Sequence, residues 1–202
     1  MLVAVSASAA ADWQPDRFLE DYRQRVLPLG PDPDGESPIT ATLVRRAESS
    51  PARGAVLYVH GFTDYFFHEP LADFFVDRGY AFYAVDLRKC GRSWQSHHTP
   101  HFTTDLAMYD EELNASLRII LDELGPDCRV VVAGHSTGGL ITALWLDRLR
   151  QREPALHAAV DGLLLNSPWF DLQGDAVLRT LPVTLLVKAI AAVAPTRVIP
   201  KE

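Results

Sequence analysis

The segment Gly134-His135-Ser136-Thr137-Gly138-Gly139 carries the plainest capacity for chemistry. An apolar run, 129–133, precedes it and a helical pattern, 140–150, follows, so G-x-S-x-G stands in a strand–turn–helix context. Side chains at positions 134 and 138 would collide with neighbouring backbone in so tight a turn, and the strain holds the serine hydroxyl clear of the sheet. The helix behind it presents unpaired N–H groups and a positive dipole end to a developing negative charge. These features make Ser136 a candidate nucleophile, against the alternative of a buried glycine-rich turn.

Positioning such a residue needs a scaffold, and the rest of the chain supplies one. Short runs rich in Val and Tyr at 55–60, 80–87, 129–133 and 160–166, with a further strand at 39–47, fit strands buried on both faces. Helical patterns lie between them: 69–78, ended by Gly79; 105–124; and 140–150. In the second, Leu106, Tyr109, Leu113, Leu117, Ile120 and Leu124 recur at three- and four-residue steps; Thr104 offers a cap and Gly125-Pro126 a stop. Strands alternating with helices predict an α/β fold, a mostly parallel sheet covered on both faces. Ligands of such sheets bind outside the carboxyl ends of the strands. Residues 28–38, full of Pro, Gly and Asp, read as an irregular linker.

Four segments taken in order, AVLYVHGF (55–62), YAFYAVDLRKCGRS (80–93), VVVAGHSTGG (130–139) and LLLNSPWFDL (163–172), resemble the α/β-hydrolase superfamily. The likeness is strongest to its lysophospholipase and monoacylglycerol-lipase-like serine hydrolases. It implies an α/β-hydrolase fold, incomplete at the C-terminus, with an N-terminal helix and linker (1–38), a core (39–171) and the beginning of a lid (172–202). The His-Gly turn after the first long strand resembles the loop that supplies the second oxyanion donor, so the backbone N–H groups of Phe62 and Thr137 are assigned to the oxyanion hole. Each such donor is typically worth about 3 kcal/mol. The His60 imidazole is expected to end its strand and hydrogen-bond the nearby loop; His60, His135 and Trp169 are weaker candidates for substrate contact. One departure stands out. After Asp-x-Arg the family usually has a glycine and a variable residue, where this chain has Lys89 and Cys90, which leaves the conformation and substrate contacts of that loop open.

A serine hydroxyl needs a base, and the base an orienting carboxylate. The chain order in this fold is serine, acid, histidine. The one histidine after Ser136, His157, precedes the strand 160–166 and enters at the wrong edge; seven strand residues are about 23 Å long, far beyond hydrogen-bond reach. His97, His98 and His101 follow the third run on the correct edge, but a base there would break the usual order. Asp171 could be an acid, though such an Asp is more often structural, and Asp86 reads the same way. The resemblance implies instead that acid and histidine arrive on two strands after the lid, so the chain is expected to be truncated within the lid and, as a fragment, inactive.

Composition narrows the field further. The 202 residues carry a net charge of −7 and are 48% hydrophobic, which suits a globular domain and argues against nucleic acid, whose phosphates need a basic footprint. Cys90 and Cys128 form neither a disulfide framework nor a CxxC zinc motif. Reduced thiols fit a cytoplasmic location; the start of the chain meets the requirements of a secretory signal only weakly. The apolar stretch 181–194 is broken by Lys188 and is too short for a bilayer, which needs about 20 residues. No cofactor or metal is implied. The expected substrate is a small lipophilic ester such as a lysophospholipid or monoacylglycerol, with membrane-surface contact by the lid. A non-catalytic binding module, or peptidase, thioesterase or acyltransferase chemistry on the same serine, are the rival readings.

Overall fold

Alternate residues along the central strands are buried in two separate clusters, which is the signature of a sheet covered on both faces. The computed structural model describes residues 12–47, 53–170 and 181–194. In chain order the elements are β1 (Gln14–Pro15), β2 (Tyr22–Pro28), β3 (Thr40–Arg46), β4 (Gly54–Val59), α1 (Glu69–Val76), β5 (Tyr80–Asp86), α2 (Asp110–Leu124), β6 (Val130–His135), α3 (Thr137–Arg152), α4 (Pro154–His157) and β7 (Val160–Asn166). They belong to the first of two compact units, Met1–Phe170; the second, Asp171–Glu202, contains α5 (Leu181–Val193). No helix among the described residues is long and apolar enough to cross a membrane.

The sheet order is β1-β2-β3-β5-β4-β6-β7. β1, β2 and β3 pair antiparallel and β3 joins β5 antiparallel; β5, β4, β6 and β7 run parallel. Ala55, Leu57 and Val59 of β4, with Tyr83 and Val85 of β5 and Val132 of β6, pack against Leu113, Leu117 and Ile120 of α2 and Ile141 and Trp145 of α3. Val56, Tyr58, Phe82 and Ala133 point the other way, to Phe66 and to Ala72 and Phe75 of α1. The registers Val59↔Val85, Val59↔Gly134 and Gly134↔Leu165 align the carboxyl ends of four parallel strands. Loops leaving those ends therefore converge on one edge.

Two expectations are corrected. Where an N-terminal helix was expected within 1–38, the residues described from Asp12 onward form β1 and β2. β2 buries Tyr22 against one face and Leu27 against the other, a spacing no single helical stripe supplies, and Pro28 ends it. The cap ahead of α2 is not Thr104, whose hydroxyl donates to Asp34. Asp105 accepts the Ala107 N–H at 2.8 Å and starts a 3-10 turn, so α2 begins at Asp110.

The linker is held by a buried cation. The Lys89 ammonium, fully buried, lies 2.7 Å from Asp32 and 2.9 Å from Glu36. Asp32 also accepts the N–H groups of Asp34 and Glu36, and Glu36 accepts the Thr99 hydroxyl. Burial by itself would raise both carboxyl pKa values, but pairing with Lys89 and these donors outweighs it and holds both below the usual carboxylate range. A depressed folded pKa contributes stability that is complete above the ordinary carboxylate values and lost as pH falls through the folded ones. Lys89→Met should cost about 3–5 kcal/mol at neutral pH by urea unfolding, because it strands buried carboxylates. The variant should recover part of that loss on mild acidification, where the parent does not gain.

Candidate active site

Ser136 sits between β6 and α3 with φ 52° and ψ −121°, a conformation L residues avoid. The surrounding structure over-determines it. The Ser136 N–H donates to the Asn166 carbonyl at 3.0 Å, and its own carbonyl accepts from Gly139 (3.0 Å) and Trp169 (2.9 Å). Two glycines permit the bend. A Cβ at Gly138 would stand 2.4 Å from the carbonyl oxygens of both Val59 and His60, and one at Gly134 would stand 2.7 Å from the Gly138 carbonyl. The first turn of α3 is thus pressed against the end of β4.

That contact brings the His-Gly turn to the serine: a Cβ on Gly61 would lie 3.1 Å from the Ser136 Cβ. The His60 ring is buried and both its nitrogens are engaged. Nε2 accepts the Leu87 N–H at 3.1 Å, so Nδ1 carries the proton and donates to the Gly61 carbonyl at 2.7 Å. The imidazole therefore braces the turn from within and joins it to the end of β5. Among the described residues the Phe62 and Thr137 N–H groups have no acceptor; Thr137 opens α3, where helical N–H groups lack intrahelical partners. Both residues line a cavity of about 170 Å³. A larger one, about 670 Å³, lies at the opposite end of the strands near Cys128 and Arg129 and touches none of this machinery.

His135 precedes Ser136 and is half-buried, with its Nδ1 unpartnered among the described residues. Trp169 is 39% exposed and approaches Ser136 through its backbone. His157 lies ahead of β7, whose first residue pairs with the first residue of β6, at the far end from Ser136. His98 is buried, accepts from the Gln95 N–H and donates to the Pro38 carbonyl, the carbonyl His97 also contacts. His101 lines the cavity with Nδ1 3.2 Å from the Cys90 sulfur; burial lowers its pKa and keeps it neutral. None of these bonds reaches the Ser136 hydroxyl. Asp86 is fully buried and accepts from the Phe66 and Arg92 backbones and the Arg92 guanidinium; that spends its oxygens on holding loops. Asp171 lies outside the described residues.

Cys90 is the residue sequence reasoning set aside and the structure brings to the site. Burial pushes its thiol pKa well up, so it contributes volume and a weak donor to the Arg88 carbonyl, not a thiolate. Its position after Lys89 in the departing loop was the signal.

The sequence profile of the family described as serine aminopeptidase, S33, matches residues 50–202. No curated protein sequence matches the chain significantly. Solved structures share its α/β-hydrolase fold. A hydrolase of Agrobacterium vitis S4 has a TM-score of 0.58 at 18% identity, covering 85% of this chain and 61% of its own. A thermostable carboxyl esterase of Bacillus coagulans has 0.57 at 17%, covering 82% and 51%. A soluble variant of the monoglyceride lipase of Saccharomyces cerevisiae has 0.58 at 19%, covering 96% and 56%. The chain thus spans between half and two thirds of the length of these structures. Replacing Gly138 with Ala should cost about 1–3 kcal/mol, since the clash is with backbone that cannot turn away. Thermal unfolding will read the loss, and Gly30→Ala, which meets nothing closer than 3.4 Å, should stay near the parent.

Proposed function

Because the chain belongs to the serine aminopeptidase S33 family, we propose that it is the Ser136-bearing part of a serine hydrolase that cleaves carboxylic esters through an acyl-serine intermediate. Ser136 Oγ gives its proton to a base and bonds to the ester carbonyl carbon. The carbonyl oxygen becomes the oxyanion, held by the Phe62 and Thr137 N–H groups. The bond to the alcohol oxygen then breaks, and the alcohol leaves with the proton returned by the base. Water, activated by the same base, hydrolyses the acyl-serine and frees the acid. Base and orienting carboxylate come from outside the described residues in this scheme, since none of the imidazole hydrogen bonds described above reaches Ser136. Residues 172–202 as the start of a lid, on the strength of the apolar α5, belong to the same proposal.

The observation that carries the ester reading is the lining of the cavity beside the oxyanion donors. Its residues are His60, Gly61, Phe62, Leu87, Cys90, His101, Thr103, Leu106, Tyr109, Thr137 and Ile141, with no carboxylate among them. An aminopeptidase must hold a substrate ammonium, and a buried cation needs a paired anion. An apolar wall suits a lipophilic ester, in keeping with the carboxyl esterase and the monoglyceride lipase among the structural neighbours.

A fluorophosphonate probe should label the full-length protein at Ser136, and Ser136→Ala should abolish labelling. On a matched panel kcat/KM should fall from ester to aminoacyl amide by at least tenfold. Preference for the amide, or labelling that survives the substitution, would overturn the proposal.

A further inference from the structure

The cavity that begins at the oxyanion donors has a floor as well as a mouth. Phe62, 66% exposed, stands at the mouth. Leu87, Cys90 and Tyr109 are all buried and form the floor, with Ile141 of α3 beside them. The floor is not free to move. The Cys90 thiol donates to the Arg88 carbonyl at 3.3 Å, and the His101 backbone N–H donates to the Lys89 carbonyl at 3.1 Å. Lys89 in turn is fixed by Asp32 and Glu36. Deepening the cavity would mean displacing a buried ion cluster.

We propose that this cavity is the acyl subsite and that its fixed floor restricts the enzyme to compact acyl groups: a short alkyl chain or a single aromatic ring. The inference deepens the esterase proposal and rests on it. The volume of about 170 Å³ slightly exceeds the roughly 150 Å³ that admits benzene, which sets the limit at about six carbon atoms. The acyl group, and not the alcohol, belongs in a floored cavity. It stays bonded to the serine through two steps, whereas the alcohol must leave to water after the first. His101 and Thr103 add polar groups to the wall, but neither brings a formal charge: His101 is held neutral and Thr103 is a hydroxyl.

The test separates occupancy from serine chemistry by using the Ser136→Ala protein, which binds esters without turning them over. Methyl butyrate, hexanoate, octanoate and laurate are titrated calorimetrically, with methyl benzoate as the ring probe. Affinity should climb about fourfold for each methylene that is buried, stop climbing near hexanoate, and include benzoate. Leu106→Trp, which fills the cavity, should weaken hexanoate at least tenfold. Ile141→Ala, which enlarges it, should move the plateau to octanoate. An affinity that keeps rising to laurate, a plateau seen only in a series of acetate esters of lengthening alcohols, or two variants that leave the series unchanged would each overturn the acyl limit. None of these results bears on probe labelling of Ser136, so failure of the limit and failure of the hydrolase proposal are told apart.

Discussion

The approach of Gly138 to the carbonyl oxygens of Val59 and His60 is the constraint on which the rest of the site depends. A 2.4 Å gap to a hypothetical Cβ means that the backbone of α3 and the end of β4 touch directly, with no side chain between. This contact brings the loops that leave β4 and β6 together at Ser136. It also fixes Ser136 in its left-handed conformation, because the helix must start immediately after a strand that ends against the same surface. Strain of this kind costs of order 1–3 kcal/mol and persists only where neighbours impose it. Here the neighbours are Asn166, Gly139 and Trp169, each bonded to the Ser136 backbone.

A second layer of control lies in the loop after β5, where three basic residues in five positions are each locked to a different element. Arg88 pairs with the fully buried Glu112 of α2 at 2.6 Å. Lys89 closes the 32–36 loop. Arg92 binds Asp16 at 2.6 Å and Asp86 at 2.9 Å, and donates to the Phe66 carbonyl. Burying so many charges brings little net stability, since desolvation offsets most of the attraction. Its effect is positional: α2, the linker, the N-terminal strands and the β4–α1 loop are all referred to one short segment, and that segment carries Cys90 into the cavity floor.

The two layers meet at His60. Its ring, engaged at both nitrogens, joins the His-Gly turn to Leu87 at the end of β5. The His-Gly turn and the cavity wall are therefore joined through a single imidazole.

Much of this was legible in the chain itself. Runs of β-branched and aromatic residues marked the four parallel strands, and G-x-S-x-G between a strand and a helix marked the turn, because local sterics leave such a motif few conformations. β1 and β2 were missed because their burial, Tyr22 on one face and Leu27 on the other, has no periodicity to detect and is created by pairing with β3. The Asp105 cap was missed because Thr104 is an equally good capping residue until tertiary structure gives it Asp34. Lys89-Cys90 stood out as a departure in the loop after β5, but its role could not be read, because a lysine next to a cysteine has no intrinsic meaning. Sequence determined the element types and the turn at Ser136, which depend on contacts within a few residues. Only the fold decided that an acidic linker some fifty residues upstream would neutralise Lys89 and so close the floor of the cavity, because electrostatic pairing acts between groups that chain order keeps apart.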